Sequence, residues 1–95
     1  MAERTLRLAP EFGCWPLWDD ATGDNLDPAD WPLPPDLAAR LRAWDDAFQS
    51  TFDSAYPPDS RFPSLEAEAA WTAEGEALAA AIEQVVGAGN LRTRL

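Results

Sequence analysis

The chain has no histidine and no lysine among its 95 residues, and its only cysteine is Cys14. A nucleophilic serine or cysteine is usually activated by a neighbouring histidine or lysine, so the usual bases of covalent catalysis are missing. A single cysteine also excludes an internal disulfide framework and a cysteine-rich zinc site. We therefore predict that the protein is not an enzyme and that it uses no cofactor.

Long apolar runs are also missing. Nowhere do about 18 apolar residues follow one another, as a membrane-spanning helix requires. The N-terminal segment, Met-Ala-Glu-Arg-Thr-Leu-Arg-Leu-Ala-Pro, contains no apolar run like the core of a signal peptide. These absences predict a cytoplasmic protein that does not bind a membrane.

Positive charge is scarce in this sequence. Asp and Glu number 17 against 7 Arg, which gives a formal net charge of −10 and a pI near 4.1. A nucleic acid would be repelled by this field, whereas a basic protein would be attracted and would associate faster. We therefore expect a basic protein partner, and the simpler interpretation is that the charge serves solubility alone.

The chain does have ample material for a core, with 46% apolar residues and five tryptophans. Its length predicts one domain, residues 1–95, with one modest core. Residues 5–9 and 91–95 alternate apolar and polar side chains and are predicted as strands. The predicted fold class is α+β, in which two amphipathic helices pack on a small sheet formed by the N- and C-terminal strands. Because two strands alone are marginally stable, residues 12–18 are expected to add a third, or a partner to use the sheet edge.

The first predicted helix is entered through Pro34 and Pro35 and ends near residues 53–55. Its apolar side chains recur every three or four positions, which predicts one buried stripe. The stripe consists of Leu37, Leu41, Trp44, Phe48 and Phe52.

The second predicted helix follows Ser64, a suitable N-cap, and runs to about Val86, with Gly87 or Gly89 as its C-cap. Gly75 lies on its apolar stripe, where glycine costs about 1 kcal/mol relative to alanine. This position predicts that another backbone or a large ring, such as that of Trp44, lies close to Gly75.

Residues 19–36 contain six aspartates and no basic residue, and prolines interrupt them, so we predict a long acidic loop. Leu26, Trp31 and Leu33 are expected to attach it to the core. Its aspartates do not have the spacing of ligands in an EF-hand calcium loop. If such a loop began at Asp20, its twelfth position, normally glutamate, would be Trp31. We therefore predict no metal site.

The candidate partner-binding residues are carboxylates and tryptophans, since tryptophan is enriched at protein interfaces. Trp44 and Trp71 lie on helix stripes and are predicted as core. Among the tryptophans of extended, proline-flanked segments, Trp18 and Trp31 are the predicted anchors. The candidate carboxylates lie in the loop and on the outer side of the first helix: Asp19, Asp20, Asp24, Asp27, Asp30, Asp45, Asp46 and Asp53.

Five segments follow one another along most of the chain: Cys-Trp-Pro-Leu-Trp (14–18), Asn-Leu-Asp-Pro (25–28), Leu-Pro-Pro-Asp-Leu-Ala-Ala-Arg-Leu-Arg-Ala-Trp (33–44), Phe-Asp (52–53) and Glu-Gly-Glu-Ala-Leu-Ala (74–79). In this order they resemble a widespread set of small acidic bacterial proteins of unassigned role. Some of those proteins are similar to immunity proteins that neutralise secreted toxins. The resemblance implies a toxin partner, and it assigns no functional residue.

The leading hypothesis is a protein-binding domain, an immunity-type inhibitor that presents carboxylates to a basic toxin or effector. The alternative is a homo-oligomeric structural protein without a toxin partner, which would use its sheet edge or the alanine-rich surface of the second helix. The sequence is compatible with a monomer or a homodimer. A third hypothesis, hydrolysis by paired carboxylates, would require two such groups about 5 to 10 Å apart in a cleft.

Overall fold

The computed structural model describes residues 5–87 and 89–95. Residues 1–4 and 88 lie outside the described residues. The first four belong to the predicted domain and to the N-terminal segment discussed above. Its strands are β1 (Leu6–Leu8), β2 (Leu17–Asp19), β3 (Asn25–Leu26) and β4 (Leu91–Thr93), and its helices are α1 (Pro35–Gln49) and α2 (Leu65–Val86). The strands form a mixed sheet in the order β3-β2-β1-β4, against which the helices pack. The predicted α+β class is confirmed.

The N- and C-terminal strands pair with each other, as predicted, with β1 inside the sheet and β4 at its edge. β1 pairs antiparallel with β2 and parallel with β4, so that Leu6 lies opposite both Asp19 and Leu91. Leu6 and Leu8 are buried, because alternate side chains of a strand point to the same face. Parallel pairing needs a long crossover, and the two helices supply it.

The third strand is shorter than the predicted segment 12–18. Gly13 has a φ of +76°, and the Cys14 N–H donates to the carbonyl of Glu11 at 3.2 Å, so the chain turns there. Pairing of this segment with the β1 side of the sheet begins only where the Ala9 N–H donates to the Pro16 carbonyl at 2.9 Å. The segment therefore contributes a strand only at its end, from Leu17 onward.

The prediction of a long loop without structure over residues 19–36 was wrong. β3 pairs with β2, with Asn25 opposite Trp18, and the turn between the two strands is closed by a bond from the Gly23 N–H to the Asp19 carbonyl at 2.8 Å. Asp27 then caps a short 3-10 turn by accepting a hydrogen bond from the N–H of Ala29 at 2.9 Å. Asn and Asp side chains make such local bonds readily, and they order the segment without long strands.

The attachment of this segment to the core follows the prediction. Leu26, Trp31 and Leu33 are partly buried and pack against the core cluster. Fully buried side chains in that cluster come from the sheet and from both helices: Leu8, Leu17, Leu41, Leu78 and Ile82.

Helix α1 ends at Gln49, earlier than the predicted residues 53–55. The hydroxyls of Ser50 and Thr51 each donate back to a helical carbonyl at 2.7 Å. These bonds satisfy carbonyl groups of the last turn that have no partner within the helix, so the helix can end there. Phe52 was predicted on the buried stripe, but it lies beyond the helix and is 46% exposed.

Helix α2 has the bounds that the sequence predicts. The Ser64 hydroxyl accepts a hydrogen bond from the Ala67 N–H at 3.0 Å, as an N-cap does. Gly87 ends the helix with a φ of +108° and donates to the carbonyl of Glu83 at 2.8 Å.

The two helices meet through a pair of tryptophans. The rings of Trp44 and Trp71 stack with centroids 4.5 Å apart and planes 6° from parallel. The indole N–H of Trp44 donates to the Trp71 carbonyl at 2.8 Å, and that of Trp71 donates to the Trp44 carbonyl at 3.0 Å. A Cβ atom on Gly75 would lie 2.8 Å from the indole Cζ2 of Trp44, so the predicted approach of this ring is confirmed.

Gly75→Ala is expected to destabilise the protein by about 1 to 2 kcal/mol, although alanine is the better helix former by about 1 kcal/mol. The added methyl group would overlap a Trp44 ring that its hydrogen bond holds in place. Urea unfolding measures the change. In a Trp44→Phe background the overlapping indole atoms are gone, and the penalty should shrink; a stabilised Gly75→Ala variant would contradict the close packing.

Candidate partner-binding surface

The first two candidate carboxylates are engaged within the fold. Asp19 is 7% exposed, and its carboxylate accepts hydrogen bonds from the backbone N–H groups of Ala21 and Thr22 at 2.9 and 3.2 Å. Asp20 forms salt bridges with Arg7 at 3.7 Å and Arg92 at 3.1 Å. Asp19 therefore holds the β2–β3 turn, and Asp20 joins that turn to β1 and β4.

The next three candidates differ in exposure. Asp24 and Asp30 are exposed, and Asp27 is half-buried with one oxygen bonded to the Ala29 N–H. None of the three forms a salt bridge with a residue that the structure describes. Their negative charge is therefore available to a partner.

Three candidates lie on or after α1. Asp46 is exposed and Asp45 is half-buried. Asp53 accepts hydrogen bonds from the N–H groups of Ala55 and Tyr56 at 3.0 and 3.1 Å, so its carboxylate holds the turn that follows the helix. Asp45 and Asp46 form no salt bridge with the described part of the chain.

Burial raises the pKa of the Asp45 carboxyl above 3.8, the neighbouring charge of Asp46 adds to the rise, and a hydrogen bond from Gln49 opposes it. The folded state therefore takes up this proton at a higher pH than the unfolded chain does. Above the folded-state pKa, the buried charge costs stability, and that cost disappears as the pH falls through the folded-state pKa and then below 3.8.

Asp45→Asn is expected to raise the Tm at neutral pH by a few degrees at most, because partial exposure screens the buried charge. The asparagine side chain can still accept the hydrogen bond from Gln49. Thermal melts across a pH series should show the gain in Tm vanish by about pH 3, where the Asp45 carboxyl is protonated in both the folded and the unfolded protein. The exposed Asp24→Asn variant is the matched control, and a gain there as large as that of Asp45→Asn would contradict the role of burial.

The two predicted anchor tryptophans are both half-buried. The Trp18 indole N–H donates to the carbonyl of Ala9 at 2.9 Å, and the guanidinium of Arg7 lies 5.7 Å from the ring centroid. Trp31 packs against the core. Trp15, which the sequence groups with Trp18 and Trp31 in extended, proline-flanked segments but does not name as an anchor, is 48% exposed. Its one signal in the sequence is the following proline, which lacks an N–H and keeps Trp15 out of the strand that contains Trp18.

Trp15 lies in a groove between the hairpin segment and α1, which we call the Trp15 groove. Its volume is about 520 Å³. The hairpin side contributes Trp15, Pro16, Asp27, Pro28 and Ala29, and α1 contributes Ala38, Ala39, Leu41, Arg42, Asp45 and Asp46. The groove thus joins three candidate carboxylates to the most exposed tryptophan.

Two amide side chains hold the groove together. Asn25 accepts from the Trp15 N–H at 2.9 Å and donates to the Trp15 carbonyl at 2.7 Å and the Leu17 carbonyl at 3.0 Å. Gln49 accepts from the Gly13 N–H at 3.0 Å and donates to the Glu11 carbonyl at 2.9 Å. The segment that carries Trp15 is therefore fixed to the sheet on one side and to α1 on the other.

A second, more open depression of about 790 Å³ lies between α1 and α2. Its arginines are paired, Arg40 with Glu74 at 2.7 Å and Arg61 with Asp59 at 3.2 Å. The Glu74 partner raises the pKa of Arg40, and the hydrogen bond from Arg40 lowers the pKa of Glu74. This depression brings together none of the predicted site residues.

Two further searches covered residues 5–87 and 89–95. No helix there is both long and apolar enough to cross a bilayer. No group of three or more cysteine, aspartate and glutamate side chains there is arranged to hold a metal ion.

Comparison with known proteins identifies a family for the chain. The model of a family described as Serratia CdiI immunity protein-like matches residues 4–90. No curated protein matches the chain significantly. The family match covers most of the chain, including the whole Trp15 groove.

Proposed function

The chain belongs to the Serratia CdiI immunity protein-like family, and on that basis we propose that it is an immunity-type inhibitor that docks on a basic toxin domain and neutralises it. The family suggests a toxin-inhibitor role and implies a toxin partner. The alternative, a structural homo-oligomer without such a partner, is not favoured by this membership. The proposal gives the chain no catalytic role and places its action in the cytoplasm.

The distribution of charge supports a basic partner. The salt bridges among the described residues neutralise Asp20, which follows β2, Asp59, which precedes α2, and Glu74 on α2. The carboxylates of the second half of the acidic segment and of the outer side of α1 have no such partner: Asp24, Asp27, Asp30, Asp45 and Asp46. These five unpaired charges lie in the acidic segment and on α1, where they can steer a positively charged protein.

Among the predicted site residues we assign docking to these five carboxylates. Asp19, Asp20 and Asp53 support the binding surface through the bonds that hold their turns. Trp18 and Trp31 are half-buried, and we assign them no direct contact with the partner. The observation that carries the proposal is the family match over residues 4–90.

The test is protection of cells from a toxin. The product of the adjacent reading frame is identified, its C-terminal domain is expressed under an inducible promoter, with and without the chain, and surviving colonies are counted. Survival that depends on the chain supports the proposal. Equal killing in both cultures, with the chain soluble and folded, would contradict it.

A further inference from the structure

Trp15 combines exposure with a fixed backbone. It is 48% exposed, the most exposed of the five tryptophans. The Asn25 side chain nevertheless bonds both its N–H and its carbonyl. An exposed ring on a fixed backbone loses little conformational entropy when a partner covers it, which is the property of an interface anchor.

The groove beside this ring is suited to a cationic side chain. Asp27, Asp45 and Asp46 line it against a single guanidinium, that of Arg42. Its volume of about 520 Å³ lies within the range of pockets that enclose a bound group, roughly 300 to 1,000 Å³. The alanines of α1 in its lining leave room between the ring and the helix.

Arginine fits this combination better than lysine does. Its planar guanidinium stacks on an indole face and at the same time donates paired hydrogen bonds to carboxylates. Within this same chain, Arg7 already lies over the ring of Trp18 at 5.7 Å while it pairs with Asp20 at 3.7 Å. That pair is an internal example of the contact that an incoming arginine would make with Trp15.

We propose that the Trp15 groove receives an arginine-bearing segment of the toxin, with the indole of Trp15 against the guanidinium and with Asp45 and Asp46 as its carboxylate partners. This inference rests on the proposed function and identifies the chemistry of the docking site. Partial burial of the Asp45 carboxylate in the groove lining gives the same expectation, because a guanidinium would compensate the charge that burial disfavours.

The first experiment measures the dissociation constant of the purified complex with the toxin domain. Trp15→Ala should weaken binding at least roughly 30-fold, the effect of losing a hot-spot aromatic, and the Asp45→Asn/Asp46→Asn double variant about 10-fold or more. Arg42→Gln should tighten binding a few-fold, because it removes the competing cation. Tyr56→Ala, at an exposed aromatic outside the groove, and Glu66→Gln/Glu76→Gln, at exposed carboxylates on α2, should each stay within about threefold of the wild type.

The second experiment tests the groove without the toxin. Tetra-arginine is titrated into the isotope-labelled chain, and the indole and backbone N–H signals are followed by NMR. Tetra-arginine should shift the Trp15 indole signal and the amides of Asp45 and Asp46, and tetra-lysine at the same concentration should shift them less.

The two experiments separate the possible failures. If the wild-type chain binds the toxin and Trp15→Ala binds within threefold of it, the inference is overturned while the proposed function stands. If the toxin does not bind the wild type, the proposed function fails, and the groove is judged by the peptide alone. Tetra-arginine that leaves the Trp15 indole signal unmoved would then overturn the inference as well.

Discussion

Replacing Asp24, Asp30, Asp45 and Asp46 by asparagine is expected to slow association with the toxin domain about 10- to 100-fold at low ionic strength. These four carboxylates form no salt bridge with a described residue, and their charges lie around the proposed docking side. Long-range attraction between charged proteins acts mainly on the association rate, whereas short-range packing acts mainly on dissociation. Stopped-flow mixing at several salt concentrations measures the effect.

The matched control removes the same number of charges from α2, through Glu66→Gln, Glu68→Gln, Glu76→Gln and Glu83→Gln. Its association rate should fall much less, because these residues lie on α2, which contributes nothing to the lining of the Trp15 groove, whereas the four aspartates lie on α1 or in the segment that forms its other wall. At high ionic strength the three proteins should converge, since the Debye length shortens to about 3 Å at 1 M salt. Equal slowing by both variants would show that total charge, rather than its location, governs association.

Trp44→Ala is expected to cost about 3 to 5 kcal/mol of unfolding free energy, the usual loss for truncating a buried aromatic. The side chain is 3% exposed, stacks on Trp71 and donates a hydrogen bond to its carbonyl. Domains of this size have a total stability of about 5 to 15 kcal/mol, so this loss is a large fraction of the total. Urea titration followed by circular dichroism measures the loss.

Trp15→Ala is the control for this prediction, because it removes the same side chain from a half-exposed position. It should change the unfolding free energy by less than about 1 kcal/mol, since substitutions at exposed positions have small effects. Trp44→Ala should therefore lower the unfolding free energy, whereas Trp15→Ala should leave it nearly unchanged and weaken toxin binding. A loss below about 1 kcal/mol for Trp44→Ala would contradict the assignment of the tryptophan pair to the centre of the helix interface.

The elements that the sequence predicts well are those with a local pattern. Alternation at Leu6 and Leu8 identifies β1, and the spacing of apolar residues together with Ser64 identifies α2. Gly75 is informative because glycine is unfavourable inside a helix, so its presence there indicates a close neighbour. Each of these signals depends only on residues a few positions apart.

The elements that the sequence does not predict depend on contacts between distant residues. Strand β3 has two residues and is held by the bonds of Asn25 to Trp15 and Leu17, which no local periodicity reveals. The early end of α1 reflects hydroxyl bonds that compete with the next helical turn. Short strands and helix ends are decided by these few bonds.

The candidate site was predictable in its chemistry and only partly in its geometry. Composition alone indicates an acidic surface. Five of the eight candidate carboxylates form no salt bridge with another described residue and lie outside the bonds that hold the turns of Asp19 and Asp53; one of these five, Asp27, caps a short turn of its own. Which tryptophan is exposed depends on what covers it: Ala9 and Arg7 cover Trp18, and the groove leaves Trp15 open. Such coverage is a property of the tertiary structure.

The most direct test of the docking account is the hydrogen-exchange footprint of the toxin domain on this chain. The account predicts that complex formation slows amide exchange in residues 15–30 and 38–46, which contain both walls of the Trp15 groove, and leaves the outer side of α2 unchanged. Protection confined to residues 65–86, with the hairpin and α1 exchanging as in the free protein, would contradict it.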